Sequence, residues 1–322
     1  MPRAGAIVGA ILAIAMSSVT ANAGPWPEKP VRLVVLSSAG GSPDVAARAI
    51  SERLSRTLGQ RFIVENKVSA GGITGWSALK ESAPDGYTFA LVPASAYLLT
   101  PHLFKNLPFD MAKDFVPAAY VGAAPIVVAV KKDSPYRSFA DLIKSSRADD
   151  GKAAVGTTAI NSLPHLLIEL ANNRAEAKFN VIPFSSSPTA ITAVLGGDVR
   201  AMADGYPSFV GMLTSGDMRV LATFSAERIP NNRSIPTVSE TIPGLAGSGW
   251  FAVFAPRGTP DDIIEKFRNS VNDAVSADDV TRQLLSLSIF PESMDGEELA
   301  KFLKKEQSFW MDAVKTVASA PN

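Results

Sequence analysis

Few side chains in this sequence could do chemistry, and they are scattered along it. The 322 residues include no cysteine and two histidines, His102 and His165, which lie far apart. Without cysteine the chain has no disulfide, no thiolate metal ligand and no cysteine nucleophile. Two distant histidines argue against a zinc site but leave open a single catalytic histidine. Most enzyme chemistries therefore lack their usual side chains.

A serine hydrolase is the catalytic alternative that these side chains leave open. Ser37, Ser38 and Ser42 have no base close in sequence, and His165 would have to reach them from a distant segment. The motifs G-x-G-x-x-G, G-x-x-x-x-G-K-[ST] and G-x-S-x-G do not occur, so neither a nucleotide site nor a nucleophile elbow is indicated. The sequence favours binding without catalysis.

Composition and charge exclude further classes of function. Lys and Arg together number 31, as do Asp and Glu, so the net charge is zero. A nucleic-acid-binding surface needs an excess of basic side chains, which this chain does not supply. With 46% hydrophobic and 19% charged residues, the composition is that of a folded globular protein. A chain of 322 residues usually forms two domains or one large α/β unit.

The first 23 residues predict a secretory signal peptide. Met1-Pro2-Arg3 carries one positive charge, residues 4–19 carry none, and Ala21-Asn22-Ala23 matches a cleavage site. A transmembrane anchor fits less well, because the uncharged run contains serines and falls short of the roughly 20 apolar residues that a bilayer requires. We expect cleavage after Ala23, no membrane insertion of the mature chain and a periplasmic location, with extracellular export as the weaker alternative.

Short apolar segments alternate with helical patterns, which predicts an α/β fold. The predicted strands, rich in Val, Ile, Leu and Phe and bounded by Gly, Pro or Ser, are residues 31–36, 88–92, 116–121, 126–130, 153–155, 180–183, 199–203, 218–224 and 250–255. Near-continuous apolar strands with helices between them indicate mixed, mostly parallel sheets covered by helices on both faces.

Three helices carry clear boundary signals. Ser42 can cap a helix that has proline near its start and Gly59 at its end. Thr259-Pro260 opens a second helix, and a third presents an apolar stripe between residues 299 and 317. We assign the apolar stripes of all three helices to the hydrophobic core.

Three predicted strands each run into a hydroxyl-rich loop and then into a helix N-terminus free of Lys and Arg. The loops are residues 37–43, 156–162 and 184–189. In open α/β sheets such loops gather at the carboxyl ends of the strands, where ligands bind. Free N–H groups and the helix dipole attract anions there. The sequence predicts a site for a small carboxylate or similar anion, with ordinary helix capping as the alternative.

Two further candidates lie near these loops. Asp204 follows predicted strand 199–203, where its carboxylate could accept a hydrogen bond from a ligand; its alternative role is to cap the turn at 205–208. Tyr97 could line a cleft or belong to the core. The predicted ligand-binding residues are Ser37, Ser38, Ala39, Gly40, Gly41, Ser42, Ser95, Tyr97, Thr157, Thr158, Asn161, Ser162, Ser185, Ser186 and Asp204. We predict no catalytic residue, no metal ligand and no cofactor.

An ordered series of short motifs runs along the chain from Trp26 to about Val317. The motifs are Trp26-Pro27-Glu28-Lys29-Pro30-Val31, Gly40-Gly41 with Asp44, Val64-Glu65-Asn66, Ala70-Gly71-Gly72, Ala83-Pro84-Asp85-Gly86-Tyr87-Thr88, Pro101-His102-Leu103, Leu107-Pro108-Phe109-Asp110, Leu195-Gly196-Gly197, Ile235-Pro236-Thr237-Val238 and Ala255-Pro256-Arg257-Gly258-Thr259-Pro260. Each is weak alone, but the ordered series is specific. With it, the chain resembles the substrate-binding receptors of tripartite tricarboxylate transporters, the Bug-type family of periplasmic proteins.

The resemblance implies a type II periplasmic binding protein, a Venus flytrap whose two lobes close over a small ligand. Expected boundaries are 24–123 with 248–322 for one lobe and 124–247 for the other, joined by hinge strands near 122–126 and 248–254. The implied ligands are mostly carboxylates and related amino or aromatic acids, held by residues 38–42, residues 157–162 and Asp204. The implied partner is the permease of a secondary transporter, and we expect a monomer.

The loops depart from the family pattern in ways that bear on the ligand. Ser37 stands where relatives carry an aromatic residue, and Ala159 and Asn161 replace glycines in the second loop. Residues 185–187 are all serine where relatives carry a Lys- and Gly-containing stretch. These hydroxyl-rich loops predict a polar ligand that bears hydroxyl groups or one carboxylate. A sensor that docks on a membrane signalling protein remains an alternative to transport.

Overall fold

The chain folds around two β-sheets, each packed against helices. In the computed structural model, residues 26–148, 153–158, 160–230 and 232–318 are described. The predicted signal peptide with its cleavage after Ala23, and Ala159, lie outside these residues. One sheet has six strands and the other five. We call the six-stranded sheet with its helices lobe 1 and the five-stranded sheet with its helices lobe 2, which confirms the predicted two-lobed α/β fold.

The strands follow the sequence pattern, with two additions. They are β1 (Val31–Val35), β2 (Phe62–Asn66), β3 (Thr88–Pro93), β4 (Phe115–Ala124), β5 (Ile126–Lys131), β6 (Ala153–Thr158), β7 (Phe179–Phe184), β8 (Ala201–Gly205), β9 (Met218–Thr223), β10 (Gly249–Pro256) and β11 (Phe290–Pro291). The prediction missed β2, which ends in two polar residues at the sheet edge, and β11, which has only two residues.

The helices lie between the strands. They are α1 (Ser42–Leu58), α2 (Ile73–Lys80), α3 (Ala94–Leu98), α4 (Thr100–Leu103), α5 (Met111–Asp114), α6 (Phe139–Ala148), α7 (Leu163–Ala175), α8 (Ser187–Gly196), α9 (Val210–Ser215), α10 (Asp261–Ser276), α11 (Asp278–Ser286) and α12 (Gly296–Ala318). Within the described ranges, no helix has the length and apolar character needed to cross a bilayer.

One predicted helix boundary is confirmed and one is corrected. Gly59 ends α1 in the left-handed conformation, with φ 72°. Ser42 is not the cap of α1 but its first residue, because Gly41 takes the extended conformation of the N-cap with φ −73° and ψ 161°. Glycine is accepted at this position almost as readily as serine, so the sequence could not decide between them.

Both sheets are mixed, but antiparallel pairing is more extensive than we predicted. In lobe 1, β1 pairs in parallel with β2 and β3, whereas β10 pairs antiparallel with β3 and β4, and β11 antiparallel with β4. In lobe 2, β6 is parallel to β7 and β8, and β5 is antiparallel to β8 and β9. Apolar strands buried on both faces look alike in sequence whichever way they run.

The antiparallel strands carry the chain between the lobes. β4 ends at Ala124 in lobe 1, and after Pro125 the chain enters lobe 2 as β5. The chain returns at Gly249, which pairs with Ala124, so the two crossings lie side by side. Both crossings fall within or next to the predicted hinge segments. The residue boundaries proposed for the two lobes stay predictions.

Candidate ligand-binding site

The loop between β1 and α1 is held in place by two side chains from its own lobe. Gly40 N donates to Oδ2 of Asp44 at 2.8 Å, and Nδ2 of Asn66 donates to Oδ1 of Asp44 at 3.0 Å. The same Asn66 nitrogen donates to the carbonyl of Ser37 at 3.1 Å. Asn66 lies at the end of neighbouring strand β2, so the sheet itself sets the position of the loop.

Asp44 is an ionised anchor of this loop. Its side chain is buried, and Nε of Arg48 lies 3.0 Å from Oδ2. Burial raises the pKa of Asp44, but the hydrogen bonds from Arg48, Gly40 N–H and Asn66 outweigh it and lower the pKa overall. Asp44 thus accepts three hydrogen bonds from groups of its own lobe, and these bonds organise the loop.

The N-terminus of α1 has no side-chain cap. Gly41 at the N-cap carries no side chain, and no side-chain hydrogen bond caps the helix. The loop contains Gly40 with φ 80°, a left-handed conformation that favours glycine. An uncapped helix start leaves backbone N–H donors and the positive end of the helix dipole available to an anion. The candidate residues Ser38, Ala39 and Ser42 belong to this same segment.

In lobe 2 the structure brings Thr158 and Asp204 together. Thr158 Oγ1 donates to Oδ1 of Asp204 at 3.2 Å, and Ser187 Oγ donates to Oδ2 at 2.6 Å. Ser208 Oγ donates to Ser187 Oγ at 3.3 Å. Asp204 does not cap the turn after it, because the 3-10 helix there has Gly205 at its N-cap without a side-chain hydrogen bond. The alternative capping role is therefore wrong.

Ser187 belongs to the predicted loop 184–189, but neither Ser187 nor Ser208 was among the predicted ligand-binding residues. Ser187 is the first residue of α8, and the parallel pairing of Thr157 with Ala203 places the end of β6 beside the end of β8. The juxtaposition therefore depends on strand register, which no local pattern in the sequence shows. The sequence signal that could have indicated Ser187 is a serine at the first position of a helix that follows a strand.

Two buried polar atoms near α7 have no hydrogen-bond partner. Thr157 Oγ1 and His165 Nδ1 are both shielded from solvent and unpaired. Side chains alternate along β6, so Thr157 points to the opposite face of the sheet from Thr158, toward the face that packs on α7. Buried polar atoms without partners are rare in proteins. At Thr157 and His165, lobe 2 therefore has polar atoms that form no hydrogen bond within the protein.

His165 lies in the first turn of α7. Ser162 is the N-cap of this helix and accepts a hydrogen bond from His165 N at 3.3 Å, while Asn161 before it has φ 58°. Burial lowers the pKa of the His165 imidazole, with Glu169 acting in the opposite direction. A lowered pKa keeps the ring neutral at neutral pH, so it attracts an anion only weakly.

The remaining candidates take ordinary structural positions. Ser186 caps α8 by accepting a hydrogen bond from Thr189 N at 3.4 Å, and Ser185 is exposed. Ser95 is also exposed, in α3. Tyr97 is buried in the core of lobe 1, where its ring stacks on Phe254 at 4.9 Å. For Ser162 and Ser186, helix capping is confirmed as a role; their contact with a ligand stays a prediction.

The hydroxyl of Tyr97 forms a hydrogen bond with helix α12. It accepts a hydrogen bond from Nε2 of Gln307 in α12 at 2.8 Å. Burial raises the pKa of Tyr97 to about 12, although the bond from Gln307 acts in the opposite direction. Tyr97 therefore stays protonated and links α3 to α12. Among the described residues, no three His, Asp or Glu side chains are grouped so that they could hold a metal ion.

Two helix-covered sheets joined by adjacent crossing strands, with hydroxyl-rich loops at strand ends in both lobes, define a two-lobed solute-binding protein. Similar solved structures include periplasmic solute-binding proteins. The chain belongs to the tripartite tricarboxylate transporter family receptors, TctC, which match residues 46–318. The family predicted from the sequence is thereby confirmed, and the protein is a periplasmic solute-binding receptor of this family.

Individual relatives cover nearly the whole chain. The protein BugT of Bordetella pertussis is 32% identical over 317 residues, which are 98% of this chain and 97% of BugT. The structure of Rpa4515 of R. palustris with adipate has a TM-score of 0.79 and 29% identity, covering 92% of this chain and 100% of that one. MatC of Rhodopseudomonas palustris with bound malate has a TM-score of 0.73 and 29% identity, covering 90% and 100%.

Proposed function

We propose that the protein captures a small organic acid between its two lobes in the periplasm and presents it to a membrane permease. The observation that carries this proposal is the uncapped N-terminus of α1, in a loop already held by Asp44 and Asn66. A carboxylate there gains backbone N–H donors without any loop rearrangement. The adipate bound to Rpa4515 and the malate bound to MatC support a carboxylate as the ligand.

Lobe 2 supplies the second half of the proposed site. Thr157, Thr158, Asn161 and the Ser162 end of α7 provide hydroxyl, amide and backbone groups, and Asp204 adds a carboxylate. Because Asp204 would repel a second ligand carboxylate nearby, it favours a ligand that has a hydroxyl or amino donor at that end. The ligand class that fits both lobes is a polar acid with one carboxylate and at least one hydrogen-bond donor.

Ligand capture then requires only a change in lobe arrangement. A ligand that contacts both lobes binds the closed arrangement more tightly than the open one, and its binding shifts the population toward closure. No covalent step is needed. The hydrolase alternative is disfavoured, because His165 Nδ1 is buried in lobe 2 and no described hydrogen bond links this imidazole to Ser38 in lobe 1.

A thermal-shift screen tests the proposal. The chain without residues 1–23 would be screened against plain dicarboxylates, hydroxy acids, amino acids and sugar acids, and hits would be measured by isothermal titration. At 100 times its dissociation constant, a ligand stabilises the fold by about 2.7 kcal/mol, or several degrees in melting temperature. A preference for plain dicarboxylates would contradict the role given to Asp204, and a flat panel would contradict solute capture.

The permease, the location and the monomeric state need separate tests. N-terminal sequencing of protein isolated from the periplasm should begin at Gly24. Light scattering should give the mass of one chain.

Uptake of the identified ligand should fail in a strain that lacks either this protein or its permease. Normal uptake with a defective response to the ligand would instead favour the sensor alternative.

A further inference from the structure

Helix α12 packs on both lobes. Its first half lies against lobe 1, where the ring of Phe302 contacts Tyr120 and Trp250 with centroids 5.2 and 5.7 Å apart. α12 also packs against α7 of lobe 2. α12 therefore connects the lobes in addition to the two crossing strands.

Trp310 is one of the residues of α12 that meet lobe 2; its neighbour Phe309 lies under the guanidinium of Arg174 in α7 at 6.0 Å. The Trp310 indole is fully buried. A Cβ atom on Gly247 would lie 2.9 Å from the Trp310 ring and 2.9 Å from Cδ2 of Leu167 in α7. Gly247 belongs to the segment by which the chain leaves lobe 2, and its N–H donates to the carbonyl of Phe224 at 2.8 Å. Trp310 is therefore packed where α7 and the returning chain meet.

One carboxylate joins this indole to the crossing strand. Oε2 of Glu306 accepts hydrogen bonds from Nε1 of Trp250 at 3.0 Å and from Nε1 of Trp310 at 3.3 Å. Trp250 lies in β10, opposite Ala123 of β4 and next to both crossings. An indole N–H can only donate, so neither tryptophan can replace Glu306 by bonding to the other.

Glu306 lines a cavity of about 510 Å³ between the lobes. Burial raises the pKa of Glu306, while the two indole N–H groups and Lys305 act in the opposite direction. Because a cavity adjoins it, the carboxyl group can exchange its proton with solvent.

The other ionisable groups at this cavity come from several segments. Tyr120 of β4 has its pKa raised well above the usual value by burial and by Glu292 and Glu306. Burial, with Glu298 and Glu227, also raises the pKa of Glu292. Arg228, which lines the same cavity, is held by a hydrogen bond of 2.6 Å to Glu240. No cation among these described groups is bonded to Glu306.

We propose that Glu306 is a positioning residue for ligand capture. By holding Trp250 and Trp310 together, it fixes the angle between the lobes and thereby the fraction of molecules in which the two halves of the site can close on a ligand. A carboxylate is a stronger acceptor than a neutral carboxyl group, so protonation of Glu306 loosens this connection. The effect on affinity rests on the proposed function, whereas the effect on lobe angle does not.

The test measures the distance between the lobes directly. Because the chain has no cysteine, Glu52→Cys in α1 and Thr192→Cys in α8, both exposed, can carry spin labels on the two lobes. In Glu306→Ala, double electron–electron resonance should show an inter-lobe distance distribution about twice as wide as in the parent. Glu306→Gln keeps an acceptor oxygen but not the charge, so its distribution should match that of the protonated parent and stay narrower than in Glu306→Ala. Lys304→Ala, an exposed change in the same helix, is the matched control.

A pH series separates positioning from general destabilisation. The parent distribution should widen as the pH falls through the raised pKa of Glu306, and that of Glu306→Gln should not change in that range. Ligand affinity should fall several-fold in Glu306→Ala, because fewer molecules are competent to close. An unchanged distribution in folded Glu306→Ala, or a pH response that persists in Glu306→Gln, would overturn the proposal. If the distances respond but no ligand binds the parent, the proposed function fails instead.

Discussion

Asn66 and Asp44 lie on different elements of lobe 1 and are joined by a hydrogen bond of 3.0 Å from Nδ2 to Oδ1. The same nitrogen reaches the carbonyl of Ser37 at 3.1 Å, so one amide group spans from the first residue of the loop to the first turn of α1. The loop is thus organised before any ligand arrives. Preorganisation of this kind reduces the entropy lost on binding.

Replacing Asn66 tests this organisation. Asn66→Ala removes the two hydrogen bonds that Nδ2 donates and the one that Oδ1 accepts from Arg48 at 3.4 Å. We expect a loss of about 1–2 kcal/mol in the free energy of unfolding, measured in urea. Ligand affinity, measured by titration calorimetry, should fall as well, because the loop must then be ordered by the ligand. Gln60→Ala is the control, since the Gln60 amide donates to the carbonyl of Glu28 at 3.0 Å, away from the loop. Equal losses in both variants would contradict the role given to Asn66.

Ser187 should matter more than its neighbour Ser185. Ser187→Ala removes the 2.6 Å hydrogen bond to Asp204, and bonds to charged groups contribute about 1.5–3 kcal/mol. We expect a stability loss toward the lower end of that range, together with a changed ligand preference. Ser185→Ala alters an exposed serine and should leave the free energy of unfolding unchanged. A neutral Ser187→Ala variant would show that Asp204 does not depend on this hydroxyl.

Thr157 offers a test in which stability and binding change in opposite directions. Thr157→Val keeps the shape of the side chain and removes a buried hydroxyl without a partner. Because burying an unpaired polar group costs about 1–3 kcal/mol, the variant should be as stable as the parent or more stable. Its affinity for the ligand should fall. A stability loss with unchanged affinity would mean that the hydroxyl has a structural partner.

Gly247 should tolerate no side chain. The Cβ of Gly247→Ala would meet Leu167 and Trp310 at 2.9 Å, and overpacking of this kind costs about 1–3 kcal/mol. Gly211→Ala is the control, because nothing lies within 4 Å of its Cβ and alanine favours helix α9 by up to about 1 kcal/mol. Thermal unfolding should move in opposite directions for the two variants. A shift of the same sign would contradict the packing described at Gly247.

His165 should make stability depend on pH. Burial lowers its pKa below the ordinary value of 6.5, so the unfolded chain binds a proton more readily than the folded one. Stability should therefore fall as the pH drops from 6.5 toward the lowered pKa and should stop responding to this group below it. The dependence should be smaller in His165→Gln than in the parent. An equal pH dependence in the parent and in His165→Gln would contradict this role of His165.

Local pattern was enough to predict much of this fold. The apolar runs at β1 and β10 and the glycine after α1 are read directly, because strand and helix boundaries depend on a few neighbouring residues. Strand direction could not be predicted from local pattern. Whether β10 runs with or against β3 is decided by how the chain crosses between lobes, and a buried strand has the same composition in either case.

The site was predictable as loops but not as contacts. The hydroxyl-rich segments and Asp204 were identified, yet the bonds from Thr158 and Ser187 to Asp204 join segments far apart in the chain. The bond from Trp250 to Glu306 spans 56 residues. Such pairs depend on register and on helix packing, which a single sequence does not encode in any local motif. Tyr97 shows the same limit, since its partner Gln307 is 210 residues away.

The uncapped start of α1 has a consequence for how receptors of this design can diversify. A clamp made of backbone amides looks the same whatever side chains surround it, provided that Asp44 and Asn66 hold the loop. Under the proposed function, substitutions elsewhere between the lobes can exchange one acid for another while the backbone N–H groups of lobe 1 still bind the carboxylate. Lobe 1 would then bind the carboxylate group that different ligands share, and lobe 2 would determine which ligand is bound.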